Sequence, residues 1–168
     1  MRTHAPTALA GLLSIAVGMT PSPTPAAAQI SYGVHGVEAR DAFGGARGLG
    51  ARVGLKVPFP PVSAFATGEY FRPDCGPARG CGLSGVSLDL NYALIPMLPV
   101  SPYLTGGYTY RRFDPGDGGE VSTPEGIHVG AGLAAGMAGY GVFGEARYEF
   151  VAAPERQIVL RVGIRRGF

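Results

Sequence analysis

The chain has 168 residues, a formal charge of +2, 28 glycines and no tryptophan. That length suits one domain and is short for two. Charged residues make up 15%, against about a quarter in soluble domains. The near balance of charge excludes the strong basic excess of a nucleic-acid binder. The apolar content excludes a disordered chain.

The first 28 residues differ from the rest. Arg2 supplies a positive start, an apolar stretch runs from Ala8 to Met19, and Ala26 and Ala28 close a Pro-rich segment in the A-x-A arrangement. This is the tripartite pattern of a secretory signal, with cleavage expected after Ala28. The apolar run falls short of the roughly 20 residues a membrane helix needs. No cysteine stands at the cleavage site, which argues against a lipoprotein. No later stretch is long and apolar enough for a transmembrane helix either.

From residue 29 onward apolar residues recur at every second position, the period of a β-strand with two unlike faces. Eight strands fit, at about 30–38, 48–57, 62–71, 83–94, 101–112, 126–137, 140–151 and 156–168. In the first, Val37 and Glu38 break the alternation, and a bulge at Gly36 would restore it. In the second, Leu49, Ala51, Val53, Leu55 and Val57 oppose Gly50, Arg52, Gly54 and Lys56. In the fourth, Val86, Leu88, Leu90, Tyr92 and Leu94 oppose Ser87, Asp89 and Asn91. In the sixth, Ile127, Val129, Ala131, Leu133 and Ala135 oppose His128 and three glycines. In the seventh, Tyr140, Val142, Ala146, Tyr148 and Phe150 oppose Glu145, Arg147 and Glu149. In the eighth, Ile158, Leu160, Val162, Ile164 and Phe168 oppose Gln157, Arg161, Gly163, Arg165 and Gly167.

Most of these segments reach ten residues, where soluble strands average about five or six. A tilted membrane-spanning strand needs about 9–11. Connections 58–61, 95–100 and 138–139 are short. Those on the other rim are mostly longer, at 39–47, 72–82 and 113–125, with a shorter one at 152–155. Short turns on one rim and long loops on the other are the outer-membrane pattern. The fold expected is therefore all-β, a transmembrane eight-stranded antiparallel up-and-down barrel over 29–168, with both termini on the periplasmic side.

Period two does not say which face meets lipid. A soluble periplasmic barrel of lipocalin type, with its polar face wet, is the rival. Two features favour lipid. The polar face is rich in glycine with both charge signs interleaved, as a narrow lumen requires. The aromatics also fall into two belts: Tyr32, Phe59, Tyr92, Tyr103, Tyr140 and Phe168 near the termini, and Tyr70, Phe71, Tyr110, Phe113, Tyr148 and Phe150 near the long loops. Such girdles mark the two bilayer interfaces.

The signal, the eight alternating segments and the terminal aromatic together resemble the small eight-stranded outer-membrane β-barrel proteins, the size class of OmpA's barrel domain and OmpX. The resemblance covers nearly all of the chain after the signal. It implies outer-membrane localisation and a C-terminal insertion signal read by the barrel-insertion machinery, here Leu160, Val162, Ile164 and Phe168. Arg166 departs from that pattern, since an apolar residue is usual there. Arg112 and Arg166 both carry lipid-side parity at strand ends, where long side chains can snorkel.

The site candidates follow from these faces. Cys75 and Cys81 lie close together in one loop of an exported chain, which predicts a disulfide. A metal there would need further ligands, and no histidine is near. The lumen set is Arg52, Lys56, Glu69, Asp89, Arg111, Glu145, Arg147, Glu149, Arg161 and Arg165. Buried charges must be paired, so a salt-bridged plug is expected, with a water path for small solutes as the functional rival. His35 and His128 share lumen parity with Ser87 and Asp89, but sequence brings no catalytic trio together, so neither catalysis nor a cofactor is expected. Asp114, Asp117 and Glu120 lack EF-hand spacing, so they read as an acidic loop rather than a Ca²⁺ site. Arg40, Arg47, Arg72, Arg79, Arg112 and Arg156 fall near the long-loop rim. Arg suits phosphate because its planar fork donates two parallel hydrogen bonds. Arg72, Arg79 and Arg112 are therefore candidates for the phosphates of lipopolysaccharide, with pairing to Asp41, Asp74, Asp114, Asp117 and Glu155 as the competing reading. The expected role is structural or surface-interacting, in a monomer without nucleic-acid partners.

Overall fold

A computed structural model describes residues 29–40, 45–56, 60–73, 81–95, 99–116, 118–151 and 156–168. Eight strands account for most of them: β1 (Gln29–Arg40), β2 (Ala46–Lys56), β3 (Val62–Arg72), β4 (Gly82–Ala93), β5 (Val100–Asp114), β6 (Glu125–Met137), β7 (Tyr140–Val151) and β8 (Arg156–Arg166). Each pairs antiparallel with its chain neighbour, and β1 closes on β8 into a barrel. Closure leaves no open edge to pair with another chain. Among the described residues no helix is long and apolar enough to cross a membrane. The expected strands all form, with ends shifted by no more than two residues. The β6–β7 hairpin turns on Ala138 and Gly139, whose φ values of 55° and 81° are those of a two-residue type I′ turn.

The barrel is apolar outside and polar inside. Leu49, Val86, Leu88, Ile127, Val162 and Ile164 are each more than half exposed on the outer wall. Glu69, Asp89, Arg111, Arg147, Glu149 and Arg161 are buried within. This distribution sets aside the lipocalin-type reading, in which the polar face would be the wet one.

Three expectations about side-chain direction are corrected. The first concerns Gly36, where no bulge occurs. Register with β2 runs one-to-one through Gly36↔Leu49 and Val37↔Gly48, and with β8 through Gly36↔Val162 and Val37↔Arg161. Val37 simply points inward, joining Ala39, Ala46, Phe71, Leu83 and Val159 in an apolar cluster at the long-loop end, with Phe113 packed against it. Glu38 points outward and pairs with Arg40 at 3.1 Å and Arg47 at 3.9 Å. The polarity of the two faces inverts here because the lumen end is capped by carbon while the outer rim carries charge.

The second correction concerns aromatics placed in the girdles. Tyr32, Tyr92, Tyr140, Tyr70, Tyr110 and Phe150 do face outward. Phe71 and Tyr103 are buried in the lumen instead, and Phe113 packs on the apolar cap. Thirdly, Phe168 leaves its expected lipid-side parity. Gly167 takes φ 94°, a conformation glycine accepts without steric cost. Phe168 then packs its ring 5.9 Å from that of lumen-facing Phe65.

The long 113–125 connection is also partly ordered as an extension of the β5–β6 ladder. Phe113 and Ser122 exchange backbone hydrogen bonds of 2.9 and 3.0 Å, and the Arg111 amide donates to Pro124. Asp114 accepts from the Gly116 amide at 3.0 Å, which closes a local turn. The 1–28 segment, Asp41, Phe59, Asp74, Cys75, Arg79, Asp117 and Glu155 lie outside the described residues, as does the side chain of Arg156.

Candidate functional site

The site is the lumen, and its size is set by strand number. Eight strands enclose a space just wide enough for side chains to fill. Glycine and bulk alternate across it. A side chain on Gly50 would collide with the His35 imidazole, one on Gly54 with the Phe65 ring, and one on Gly132 with the Tyr103 ring. Gly107 leaves room for His128 and for the Leu88 carbonyl, and Gly85 for Arg111. The inward glycines that give the sequence its unusual composition are thus the seats of the large lumen groups.

Three tiers fill the interior. The apolar cap lies at the long-loop end. Below it sits an ion network whose hub is Glu69 on β3. Its Oε1 accepts from Arg161 Nε on β8 at 2.6 Å and lies 3.2 Å from His35 Nε2 on β1. Its Oε2 stands 3.2 Å from Arg111 Nη1 on β5 and 3.4 Å from Arg147 Nη2 on β7. Glu149 takes Arg111 Nη2 at 2.9 Å and also pairs with Arg147 and Gln157. Asp89 takes Arg147 Nη1 at 3.1 Å, Thr67 at 2.8 Å and Ser87 at 3.2 Å. Glu145 takes Arg161 at 3.0 Å and the Tyr103 hydroxyl at 3.0 Å. The side chains of Arg111, Arg147 and Arg161 are fully buried. Such charges persist in a protein interior only when paired and hydrogen-bonded.

The lumen residues expected from sequence converge as a set, but in two groups. Glu69, Asp89, Arg111, Glu145, Arg147, Glu149 and Arg161 form the network. Arg52, Lys56 and Arg165 sit lower, toward the termini, around a small cavity with Phe65, Tyr103 and Phe168. Arg52 lies between the rings of Phe65 and Phe143, at 4.1 and 3.8 Å, and Arg111 lies 4.6 Å over Phe71. These cation–π seats explain why the lumen holds aromatics. Sequence reading missed Phe65 and Phe143 and placed Phe71 and Tyr103 on lipid. The available signal was that each shares parity with the charged residues of its own strand.

One alignment has the form of a catalytic trio. The Thr109 hydroxyl is 2.9 Å from His128 Nδ1, and His128 Nε2 is 2.9 Å from Asp89 Oδ1. Nucleophilic catalysis also needs a substrate carbonyl beside the hydroxyl and donors for the oxyanion. Thr109 and His128 are each 1% exposed, and Asp89 is held by Arg147. The arrangement orients the imidazole inside the network. Among the described residues no cluster of three His, Cys, Asp or Glu could hold a metal ion.

On the outside, Arg72 and Arg112 are exposed at the long-loop end. Arg47 stands directly opposite Arg72 in the β2–β3 register. Leu160, Val162 and Ile164 line the outer wall of β8, with Leu160 the least exposed. Arg166 is exposed at the other end, 5.4 Å over the Tyr140 ring.

Comparison of the sequence with protein-family models and with curated proteins finds no match. The shape does have counterparts. Neisserial surface protein A superimposes with a TM-score of 0.63 at 18% identity, over 86% of this chain and 100% of that one. A major outer membrane protein from Thermus thermophilus gives 0.62 at 19%, over 84% and 100%. The N-terminal β-barrel domain of Pseudomonas aeruginosa OprF gives 0.61 at 16%, over 84% and 100%. The fold is therefore that of the small eight-stranded outer-membrane barrels.

Proposed function

We propose that the chain is an integral outer-membrane protein whose barrel is structural, closed to solutes, and presents its long loops at the cell surface. The carrying observation is the inside-out distribution of polarity: large apolar side chains cover the wall while a fully buried ion network fills the lumen. The similarly shaped neisserial protein is a surface protein and the Thermus one a major outer membrane protein, which supports the same placement. No catalysis is proposed, because the histidine alignment has no opening to a substrate. The test is fractionation combined with gel mobility. The folded barrel partitions with outer membranes and shifts mobility on boiling. Recovery as a soluble periplasmic protein would refute the reading. In planar bilayers the purified protein gives no steady conductance, and a robust unit conductance would replace the plug with a channel.

The proposal carries four accessory parts. The leader is removed after Ala28, which the mass of the exported protein reads directly. Cys75 and Cys81 are oxidised to one another, so alkylation without reductant adds no label. The outward face of β8, through Leu160, Val162 and Ile164, is what the insertion machinery reads. Phe168 contributes to that signal before closure, since it turns inward in the finished barrel. Finally, the rim arginines Arg72, Arg79 and Arg112 seat the barrel against lipopolysaccharide phosphates. Replacing all three by Gln weakens lipopolysaccharide co-purification with the barrel still folded, and unchanged retention would leave local ion pairing alone.

A further inference from the structure

The lowest tier of the lumen departs from the balance above it. Glu69, Asp89, Glu145 and Glu149 are each engaged by arginine. Lys56 and Arg165 are not, since no carboxylate among the described residues lies within ion-pair distance of either. With Arg52 they border a cavity of about 80 Å³ that opens toward the termini. A water needs roughly 10–15 Å³ of such space, so the cavity has room for a tetrahedral ion. Its walls add Ser63, Asn91 and Tyr103.

Arg52 supplies the second observation. Its side chain is 3% exposed, and its Nη1 stands 3.6 Å from Glu145, longer than a hydrogen bond. Both Nε and Nη1 are buried without a hydrogen-bond acceptor, and Arg165 Nε is in the same condition. A guanidinium donor buried without an acceptor is costly, and aromatic faces at 4.1 and 3.8 Å replace hydrogen bonds only in part. The Phe168 ring lies 5.8 Å from Lys56 Nζ and 5.2 Å from Arg165, drawing both cations to the rim of the same cavity.

We propose that this vestibule is a binding site for a small oxyanion, phosphate above all, reached from the periplasmic side. Two uncompensated cations in a low-dielectric mouth match a divalent anion. Arg52 and Arg165 on the cavity wall provide guanidinium donors, and Lys56 provides a point charge. The Tyr103–Glu145–Arg161 contacts seal the vestibule above, so the anion binds and does not pass. The anion is either a free solute or the phosphate of an inner-leaflet headgroup, and the chemistry recognised is the same.

The experiment uses the folded barrel in alkyl glucoside micelles, which contain no phosphate. Inorganic phosphate is titrated in and followed by phosphorus NMR line broadening. The unaltered protein gives saturable broadening. The joint replacement Lys56→Gln and Arg165→Gln weakens binding at least tenfold. It removes two like charges that lack a carboxylate partner, so its unfolding midpoint in urea is not lowered. Lys56→Arg keeps binding within a few-fold, and Arg40→Gln on the outer rim, where Arg40 already pairs with Glu38, leaves it unchanged. Competition by added phosphatidylglycerol assigns the site to headgroups, and undiminished binding assigns it to free solutes. Absence of saturable broadening with the unaltered protein, or equal binding by the folded double variant, overturns the proposal.

Discussion

Replacing Glu69 by Ala tests whether the lumen network holds the barrel together. Glu69 has a side chain 2% exposed and three arginines within 3.4 Å. Removing one partner of a buried pair costs about 3–5 kcal/mol, because the remaining charge is left uncompensated. Here the loss is tempered, since each arginine keeps another carboxylate: Arg161 retains Glu145 at 3.0 Å, Arg111 retains Glu149 at 2.9 Å, and Arg147 retains Asp89 at 3.1 Å. The expected destabilisation is therefore near the lower end, about 3 kcal/mol. Glu69→Gln keeps the shape and one acceptor, so it costs less, about 1.5–3 kcal/mol, the worth of a charged hydrogen bond. The assay is equilibrium urea unfolding in micelles, followed by far-ultraviolet circular dichroism because the chain has no tryptophan. Glu69→Ala within about 0.5 kcal/mol of the parent, the range of an ordinary surface change, would refute the hub role.

Gly132→Val drives a side chain into the Tyr103 ring and the Gly144 carbonyl. It should abolish the heat-modifiable form, and recovery in Gly132→Val with Tyr103→Ala would be at most partial because the carbonyl clash stays. Ala138→Asn puts a residue that tolerates positive φ at φ 55°. It should stabilise the barrel by up to about 1 kcal/mol, read by the same urea titration. Leu88→Arg places charge on the outer wall at the middle of β4, where Leu88 is 66% exposed. In lipid this costs about 2–4 kcal/mol. A neutral result in bilayers would mean that wall does not face hydrocarbon.

The strands were legible because alternation is a strong local signal, and a closed barrel honours it along most of its length. Direction was harder where both faces of one strand carry an aromatic. In β3, Tyr70 and Phe71 are adjacent, and sequence assigned both to the girdle. Only Tyr70 faces out, because Phe71 is needed over Arg111. The reversal at Val37 and Glu38 was visible as broken parity, but a bulge and an apolar cap predict the same string. The membership of the ion network followed from parity and charge. Its hub did not, since Glu69 looks no different in sequence from Glu145 or Glu149. Which residue sits centrally depends on how far each strand is staggered against those across the barrel. The turn of Phe168 into the mouth rests on one positive φ at Gly167, which alternation does not encode.

Glu69 has a consequence for assembly. Its hydrogen-bonded partners are distant in sequence: His35 is 34 residues away, Arg147 is 78 and Arg161 is 92. Neither adjacent strand supplies one, for β3 pairs with β2 and β4 while these groups stand on β1, β7 and β8. A half-formed sheet entering hydrocarbon would carry the Glu69 carboxylate on β3 without its β7 and β8 arginines, and Arg161 on β8 with Glu145 alone, and a charge short of its partners is poorly tolerated in lipid. The route that avoids this brings β1 against β8 while the sheet is still wet or held by another protein. Insertion and closure then become a single cooperative event, with slow kinetics set by contacts of long sequence separation.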